Sequence, residues 1–407
     1  MLRATAVALL AAILFVAQIG ADVPRLELGE GRLIADGVRH YRIADPSLLD
    51  PPGPAVINLL RLDPKRIDLT ADLALGDRQG RGPVLDAALR RGAIAAINAG
   101  FFVLASGDPT GVLRVDGRLV SEAFRPRGAV AIRRDEAGVL RLNFDRVSVK
   151  VQVRAEGSST GVTVSGIDTN PRPGRLFLYT PKFGPNTAAT PGELEWTLLP
   201  KKGRGTVPQH GSTGGQSPKY RLAAKSTGGK TAIPADGAVL SLGGPTPPDA
   251  LASLDVGDIL EVHEQWTLER GGNPALWLTA DDVVGGAGLL IHDGRPVTDW
   301  EVERLTPSFL GRHPRTMIGT DAAGDIWLVT VDGRQPGTSL GMSLLELQAF
   351  AQRLGLTGAL NLDGGGSTTM VIGDTIVNSP SDLTGARPVS DVLLVLPHPG
   401  PPPAAAR

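Results

Sequence analysis

The sequence predicts an α+β fold, a single large sheet-rich domain with a mixed β-sheet and a few packed helices. Short β-rich runs recur along the whole chain between glycine, proline, asparagine and aspartate, with 52 glycines and 33 prolines as punctuation. Only two segments carry helical periodicity. No repeat of fixed period appears and no internal linker stands out, so one domain is preferred over the two or three that 407 residues would allow.

The strand expectations, in chain order, are Ala55 to Leu60, Ile94 to Ile97, Gly128 to Arg133, Leu140 to Phe144, Val147 to Val153, Ile259 to Val262, Ile326 to Val331, Met370 to Ile372 and Val392 to Leu396. Val84 to Arg91 reads as a helix with Pro83 at its first turn. Ser343 to Leu354 reads as a stronger one: Ser343 caps it, Glu346 stands three residues on, and Gly355 ends it. Leu344, Leu347, Phe350, Ala351 and Leu354 share one face of that helix, which therefore lies on a sheet.

Composition narrows the class. With 42% hydrophobic and 20% charged residues the chain can bury a sizeable core. Its 41 basic and 42 acidic residues leave a net charge of −1, which gives no reason to expect a nucleic acid partner. Arg3, the apolar run Ala4 to Ala17 and the small pair Gly20 and Ala21 read as a secretory signal over residues 1–21. The run is shorter than the ~20 residues a span needs. The expected location is therefore secreted or cell envelope, with no stable membrane span once the signal is cleaved. The absence of cysteine means that stability there rests on packing. Residues 22–396 form the expected domain, Pro200 to Ala235 a loop or mobile insertion without apolar period, and residues 397–407 a solvated Pro/Ala tail.

The strongest chemical signal is Asn361-Leu362-Asp363-Gly364-Gly365-Gly366-Ser367-Thr368-Thr369, a loop between an apolar segment and the strand at Met370. Three successive glycines open backbone angles closed to other residues, and their N–H groups could form an anion-binding nest. The bland alternative is a tight turn in which Asp363 caps its own loop. Upstream, the strand at Ile94 runs into Asn98-Ala99-Gly100-Phe101-Phe102, where Asn98 could orient a ligand hydroxyl. The two phenylalanines read more readily as core than as sugar platforms. Arg315 could grip phosphate bidentately, and Asp332 sits in an acidic turn, Val331-Asp332-Gly333-Arg334, where it could also merely close a hairpin.

These segments together resemble the phosphodiester glycosidase family. The resemblance runs through Ile97 to Phe102, Leu178 to Gly184, Ile233 to Gly237, Leu254 to Asp258, Val284 to Leu289, Asp293-Gly294, Arg315 to Gly319, Val331 to Arg334, Asn361 to Met370 and Arg387 to Ser390, covering roughly residues 94 to 396 in the family's order. Two departures bear on pocket shape: Ala99-Gly100-Phe101-Phe102 where the family often has Gly-Gly-Phe-Phe, and Gly285-Gly286-Ala287-Gly288 where it has Gly-Gly-Gly-Pro.

The resemblance implies a hydrolase that cleaves a sugar-phosphate diester, or a phosphoglycan, at the anomeric centre. A phosphomonoester is already a competent leaving group, so fixed positive charge or N–H donors can replace the acid of an ordinary glycosidase pair. Arg315, Arg387 and the glycine loop are assigned that role. Asp363 is the first candidate for nucleophile or base and Asp332 the second; Asn98, Gly100, Asn361, Gly364, Gly365, Gly366, Ser367 and Thr368 complete the expected binding set. No cofactor is required, although the two carboxylates could instead hold a divalent cation. The six histidines show no metal-ligand spacing, and Ser367 lacks the following glycine of a nucleophile elbow. The competing reading from another class is a non-catalytic module that binds envelope polysaccharide.

Overall fold

Alternating apolar residues make the sheets, and the alternation shows which face each strand buries. In the strand Ala95–Asn98, Ile97 faces one core while Ala96 faces another; in Asp391–Pro397, Leu393 and Val395 face the first, Val392 and Leu394 the second. In this computed structural model, which describes residues 24–123, 125–201 and 217–398, these strands belong to a five-stranded sheet. Its order is Thr375–Ile376, Met370–Ile372, Ala95–Asn98, Asp391–Pro397, Ile67–Leu73. The helix Val84–Arg91 covers one face through Val84, Ala87 and Ala88.

The other face packs on an eight-stranded sheet whose centre is Val56–Leu62, Ile326–Val331, Arg315–Asp321 and Leu356–Asn361. The helix Leu344–Leu354 adds Leu344, Leu347, Phe350, Ala351 and Leu354 to the same core. Its capping box is formed by Ser343 and Glu346, and Gly355 closes it in the left-handed region at φ 79°. Such a cap contributes about 1 kcal/mol. An eleven-stranded sheet carries a separate core around Trp196, Trp266 and Trp277.

The fold is sheet-rich with few helices, as expected, but the sheet is not mixed. Every ladder between named strands is antiparallel, and the parallel contact is an isolated bridge between Ile167 and Leu178. Neighbours distant in sequence, such as Val56–Leu62 with Ile326–Val331 and Ala95–Asn98 with Asp391–Pro397, also run antiparallel, a direction that strand periodicity does not show. Two expected strands, Leu140 to Phe144 and Val147 to Val153, are one strand, Leu140–Ala155. Within the expected insertion, Lys219–Ser226 is a strand paired with Leu194–Pro200 and Ile259–Leu268. It escaped the sequence reading because Leu222 is its one buried residue, which leaves almost no apolar alternation. The signal segment, residues 202–216 of the insertion and residues 399–407 of the tail lie outside the described residues. Among the described residues no helix is long and apolar enough to cross a membrane.

Register brings the chemistry to one end of the two facing sheets. Met370 pairs with Ile97, Val392 with Asn98, Met317 with Asn361 and Arg315 with Val331. The segments that leave those positions, Ala99–Gly100, Asp363–Thr369 and Asp332–Arg334, therefore emerge together with Pro314 and Asp391.

Candidate active site

The glycine loop is held from both sides by backbone and amide bonds. Asp363 donates its N–H to the Ala99 carbonyl at 2.9 Å, and Gly365 donates to the Pro314 carbonyl at 2.9 Å. Asn98, fully buried, donates from Nδ2 to the Asp363 carbonyl at 2.7 Å and accepts on Oδ1 from the Thr316 hydroxyl at 2.8 Å and the Thr369 N–H at 3.1 Å. Gly365 is left-handed at φ 61°, and a Cβ on Gly364 would meet the Pro314 carbonyl oxygen at 2.6 Å. These two positions need glycine for conformation and for close approach.

Two carboxyl groups flank the Ala99–Gly100 backbone. Asp391 accepts the Gly100 N–H on Oδ1 at 2.6 Å, while its Oδ2 is buried without a hydrogen-bond partner. Asp363 accepts the Gly364 N–H on Oδ1 at 2.9 Å. Asp363 lies deep among protein atoms yet keeps part of its surface open, as a group at the bottom of a depression does. Burial pushes Asp363 up to about 6, against the lowering influence of Ser367, the Gly364 N–H, Arg387 and Arg334. Burial pushes Asp391 up to about 7, with the Gly100 N–H opposing and the neighbouring Asp363 charge adding to the rise. The hydroxyls of Ser367 and Ser390 stand beside these carboxyls, but neither closes a hydrogen bond.

Positive charge and aromatic surface sit around the pair. The exposed Arg334, held at φ 59°, places its guanidinium about 3 Å from where a Cβ on Gly365 would be, and its one hydrogen-bond contact is His313 Nδ1 at 3.4 Å. Phe101 is half-buried and its ring lies 5.9 Å from that of Phe309.

A sequence model of the phosphodiester glycosidase family matches residues 220–396. The chain resembles that family. A 68-residue stretch is 40% identical to the N-acetylglucosamine-1-phosphodiester alpha-N-acetylglucosaminidase of Bos taurus, covering 17% of this chain and 12% of that protein. Among solved structures, a hypothetical protein from Synechocystis superposes with a TM-score of 0.69 at 25% identity, over 89% of this chain and 63% of that one. A protein from Burkholderia pseudomallei gives 0.69 at 24% identity, over 85% and 74%. The family match is narrower than the sequence blocks implied, since Ile97 to Phe102 and Leu178 to Gly184 fall before residue 220.

The structure brings most of the expected phosphodiester glycosidase set together, but redistributes the roles. Asn98 is a clamp, with its amide nitrogen on the Asp363 carbonyl and its amide oxygen on Thr316 and Thr369. Arg315 is buried, donating to the carbonyls of Met342 (2.9 Å), Phe309 (2.7 Å) and Gly311 (2.6 Å), with burial and Arg334 pushing it down to about 10. The edge formed by its Nε and Nη2 is therefore engaged by the protein rather than open to phosphate. Arg387 is forked onto Asp382 at 2.8 to 3.2 Å, and this pair covers Gly366, where a Cβ would collide with both side chains. The anion nest is not formed either: the N–H groups of Gly364, Gly365, Ser367 and Thr368 donate to Asp363 Oδ1, Pro314, Gly364 and Gly365 respectively. Asn361 holds the Ala287 and Leu362 carbonyls through Nδ2, at 2.8 and 3.0 Å. Thr368 accepts from Asn378 on its carbonyl.

Asp332 accepts the Ser379 N–H at 2.9 Å and Asn378 Nδ2 at 3.3 Å, and Asn378 in turn accepts the Met370 N–H. That makes it a brace behind the loop; burial raises its pKa. Sequence reading missed Asp391, although the resembling block Arg387 to Ser390 ends one residue before it. An aspartate opening an apolar strand, Asp391-Val-Leu-Leu-Val-Leu, was the signal available. Arg334 was quoted within a block but given no role. Among the described residues no group of three or more His, Cys, Asp or Glu is arranged to hold a metal ion.

Proposed function

We propose that the chain hydrolyses a sugar-1-phosphodiester in an exported glycan or glycoconjugate, with Asp363 and Asp391 as the reacting carboxyl pair. The observation that supports this most is the pair itself: two buried carboxyls flank one dipeptide, both raised into the neutral range, with one oxygen of Asp391 unpartnered. Asp363, the lower of the two, is the ionised member near pH 6 to 7. It takes a proton from the water that attacks the anomeric carbon, or attacks there itself, in which case water then displaces the sugar from its carboxylate. A C–O bond forms there as the bond to the phosphate oxygen breaks, and the phosphomonoester leaves with its electron pair.

Of the donors first assigned to the leaving group, Nε and Nη2 of both Arg315 and Arg387 and the N–H groups of Gly364, Gly365, Ser367 and Thr368 are engaged within the protein. Asp391, still protonated in the same range, fills that place by donating a proton toward the departing oxygen. Arg334 meets the phosphoryl charge from the solvent side, and Phe101 with Phe309 offers the sugar an aromatic face.

The direct test is incubation with a panel of sugar-1-phosphodiesters, with and without a chelator, followed by measurement of reducing sugar and phosphomonoester. Release of both from at least one member is expected. Binding without release across the panel would favour a non-catalytic polysaccharide-binding module instead, and loss of release with chelator would add a divalent cation to the carboxyl pair.

A further inference from the structure

Arg125, Arg127 and Arg172 line a cavity of about 310 Å³ that the proposed chemistry does not use. Arg127 is half-buried and its Nε is buried without a hydrogen-bond partner. Among the described residues none of the three is ion-paired. Burial pushes the Arg127 guanidinium below its usual range, and the nearby Arg125 adds to that, while Glu303 opposes it. A half-buried guanidinium without an anionic partner is costly to keep.

The acids of the same cavity do not neutralise it. Glu122 accepts the Ile167 N–H at 3.0 Å, and Asp168 accepts both the N–H and the hydroxyl of Thr180 at 2.6 Å. Burial raises Glu122 to about 7 and Asp168 to about 8, with Arg172 opposing the rise at Glu122 and Lys182 opposing it at Asp168. Asp108 is the remaining acid in the lining.

A run of ring and guanidinium contacts starts at the cavity and meets the carboxyl pair through the backbone of Phe101 and Gly100. The Arg127 guanidinium lies 5.8 Å from the Phe101 ring centre, the Phe101 ring is tilted against that of Phe309 at 5.9 Å, and the Arg315 guanidinium lies 5.2 Å from the Phe309 ring centre. Phe101 directly follows Gly100, whose N–H is bound to Asp391.

We propose that this cavity is a second anion subsite for the same substrate, in which Arg127 receives a further phosphoryl or carboxylate group carried on the molecule cleaved at Asp363 and Asp391. Arg125 and Arg172 form its positive rim, and Phe101 is the platform between the two sites. The proposal rests on the hydrolase reading and narrows its substrate class to polyanionic glycan phosphodiesters.

The experiment uses sugar-1-phosphodiesters whose aglycone ends in a neutral group, a phosphate or a carboxylate over a series of spacer lengths. Each is assayed with the wild type, Arg127→Gln and Arg172→Gln. The wild type should favour an anionic member by about tenfold in kcat/KM, through KM, as one desolvated charge pair allows. Arg127→Gln should bring that ratio near one while the neutral substrate changes by less than about twofold, and the exposed Arg172→Gln should weaken the preference in part. Which terminus gains identifies the group. A wild-type ratio near one at every spacer length, or a preference that survives both substitutions, would overturn the subsite.

If no panel member is hydrolysed at all, the hydrolase reading fails, and calorimetric titration with inorganic tripolyphosphate decides the cavity by itself. Arg127→Gln should bind it at least about fivefold more weakly than the wild type; equal binding would overturn the proposal. Should Arg127→Gln not fold, a double variant of the exposed Arg125 and Arg172 to Gln carries the same comparison.

Discussion

Glu303 and Asp391 are both acids buried in the same protein, and their surroundings differ in the one respect that separates a brace from the proposed reacting group. Glu303 accepts N–H bonds from Gly128 (3.0 Å), Gly288 (2.9 Å) and Leu289 (3.0 Å), and pairs with the buried Arg146 at 3.2 Å. It ties the segment Gly285–Gly288 to the sheets. Asp391 accepts one N–H, keeps an oxygen without a partner, and has another carboxyl for a neighbour. A raised pKa alone does not mark a site: Asp282 is also raised to about 7, yet it accepts from the Thr70 hydroxyl and the N–H groups of Ala71 and Asp116. The unpartnered oxygen, with a second acid beside it, distinguishes the two cases.

The largest effect should come from removing the brace. Glu303→Gln takes the charge from a buried ion pair and leaves Arg146 with only Asp299 as an acidic partner, so stability should fall by about 3–5 kcal/mol. Chemical denaturation would measure this. A loss under about 1 kcal/mol would mean that the network is not the anchor described.

At the reacting pair the balance should invert. Asp363→Asn keeps the bond from Gly364 and the shape of the loop, so folding should survive. Turnover should drop by about a hundredfold or more, equivalent to ~2.7 kcal/mol of transition-state stabilisation. Turnover and thermal unfolding followed on one preparation separate the outcomes. Near-normal turnover would remove Asp363 from the chemistry, and a fall in melting temperature that accounts for the lost activity would make it a second brace.

Much of the fold was legible because it rests on local signals. The strands Ile326–Val331 and Met370–Ile372 and the helix Leu344–Leu354, with its Ser343 and Glu346 cap and Gly355 stop, follow from period and capping alone. The glycine loop was legible as a candidate site for the same reason. What the loop does was not, because the partners of its donors come from distant residues: Pro314 engages Gly365, Asp382 engages Arg387, and the carbonyls of Phe309, Gly311 and Met342 engage Arg315. An arginine reads the same in sequence whether its fork is free or filled. Asp391 was hidden by the reverse effect, since a residue opening an apolar strand reads as an edge until the Gly100 N–H is placed against it. The antiparallel pairing was likewise beyond strand periodicity, which shows the buried face but not the neighbour.

The claim that Asp363 and Asp391 act as a pair is tested most directly by kcat/KM against pH, on the wild type and on Asp391→Asn, with the best sugar-1-phosphodiester from the panel. Asp363 must be ionised, so the wild-type rate should fall as pH drops through about 6. Asp391 must hold its proton, so the rate should also fall as pH rises through about 7, giving a narrow bell whose limbs belong to the pair as a whole. In Asp391→Asn the acid limb should remain and the alkaline limb should disappear, at a lower maximum. A wild-type profile flat from pH 5 to 8, or an Asp391→Asn profile with the same bell, would contradict the assignment.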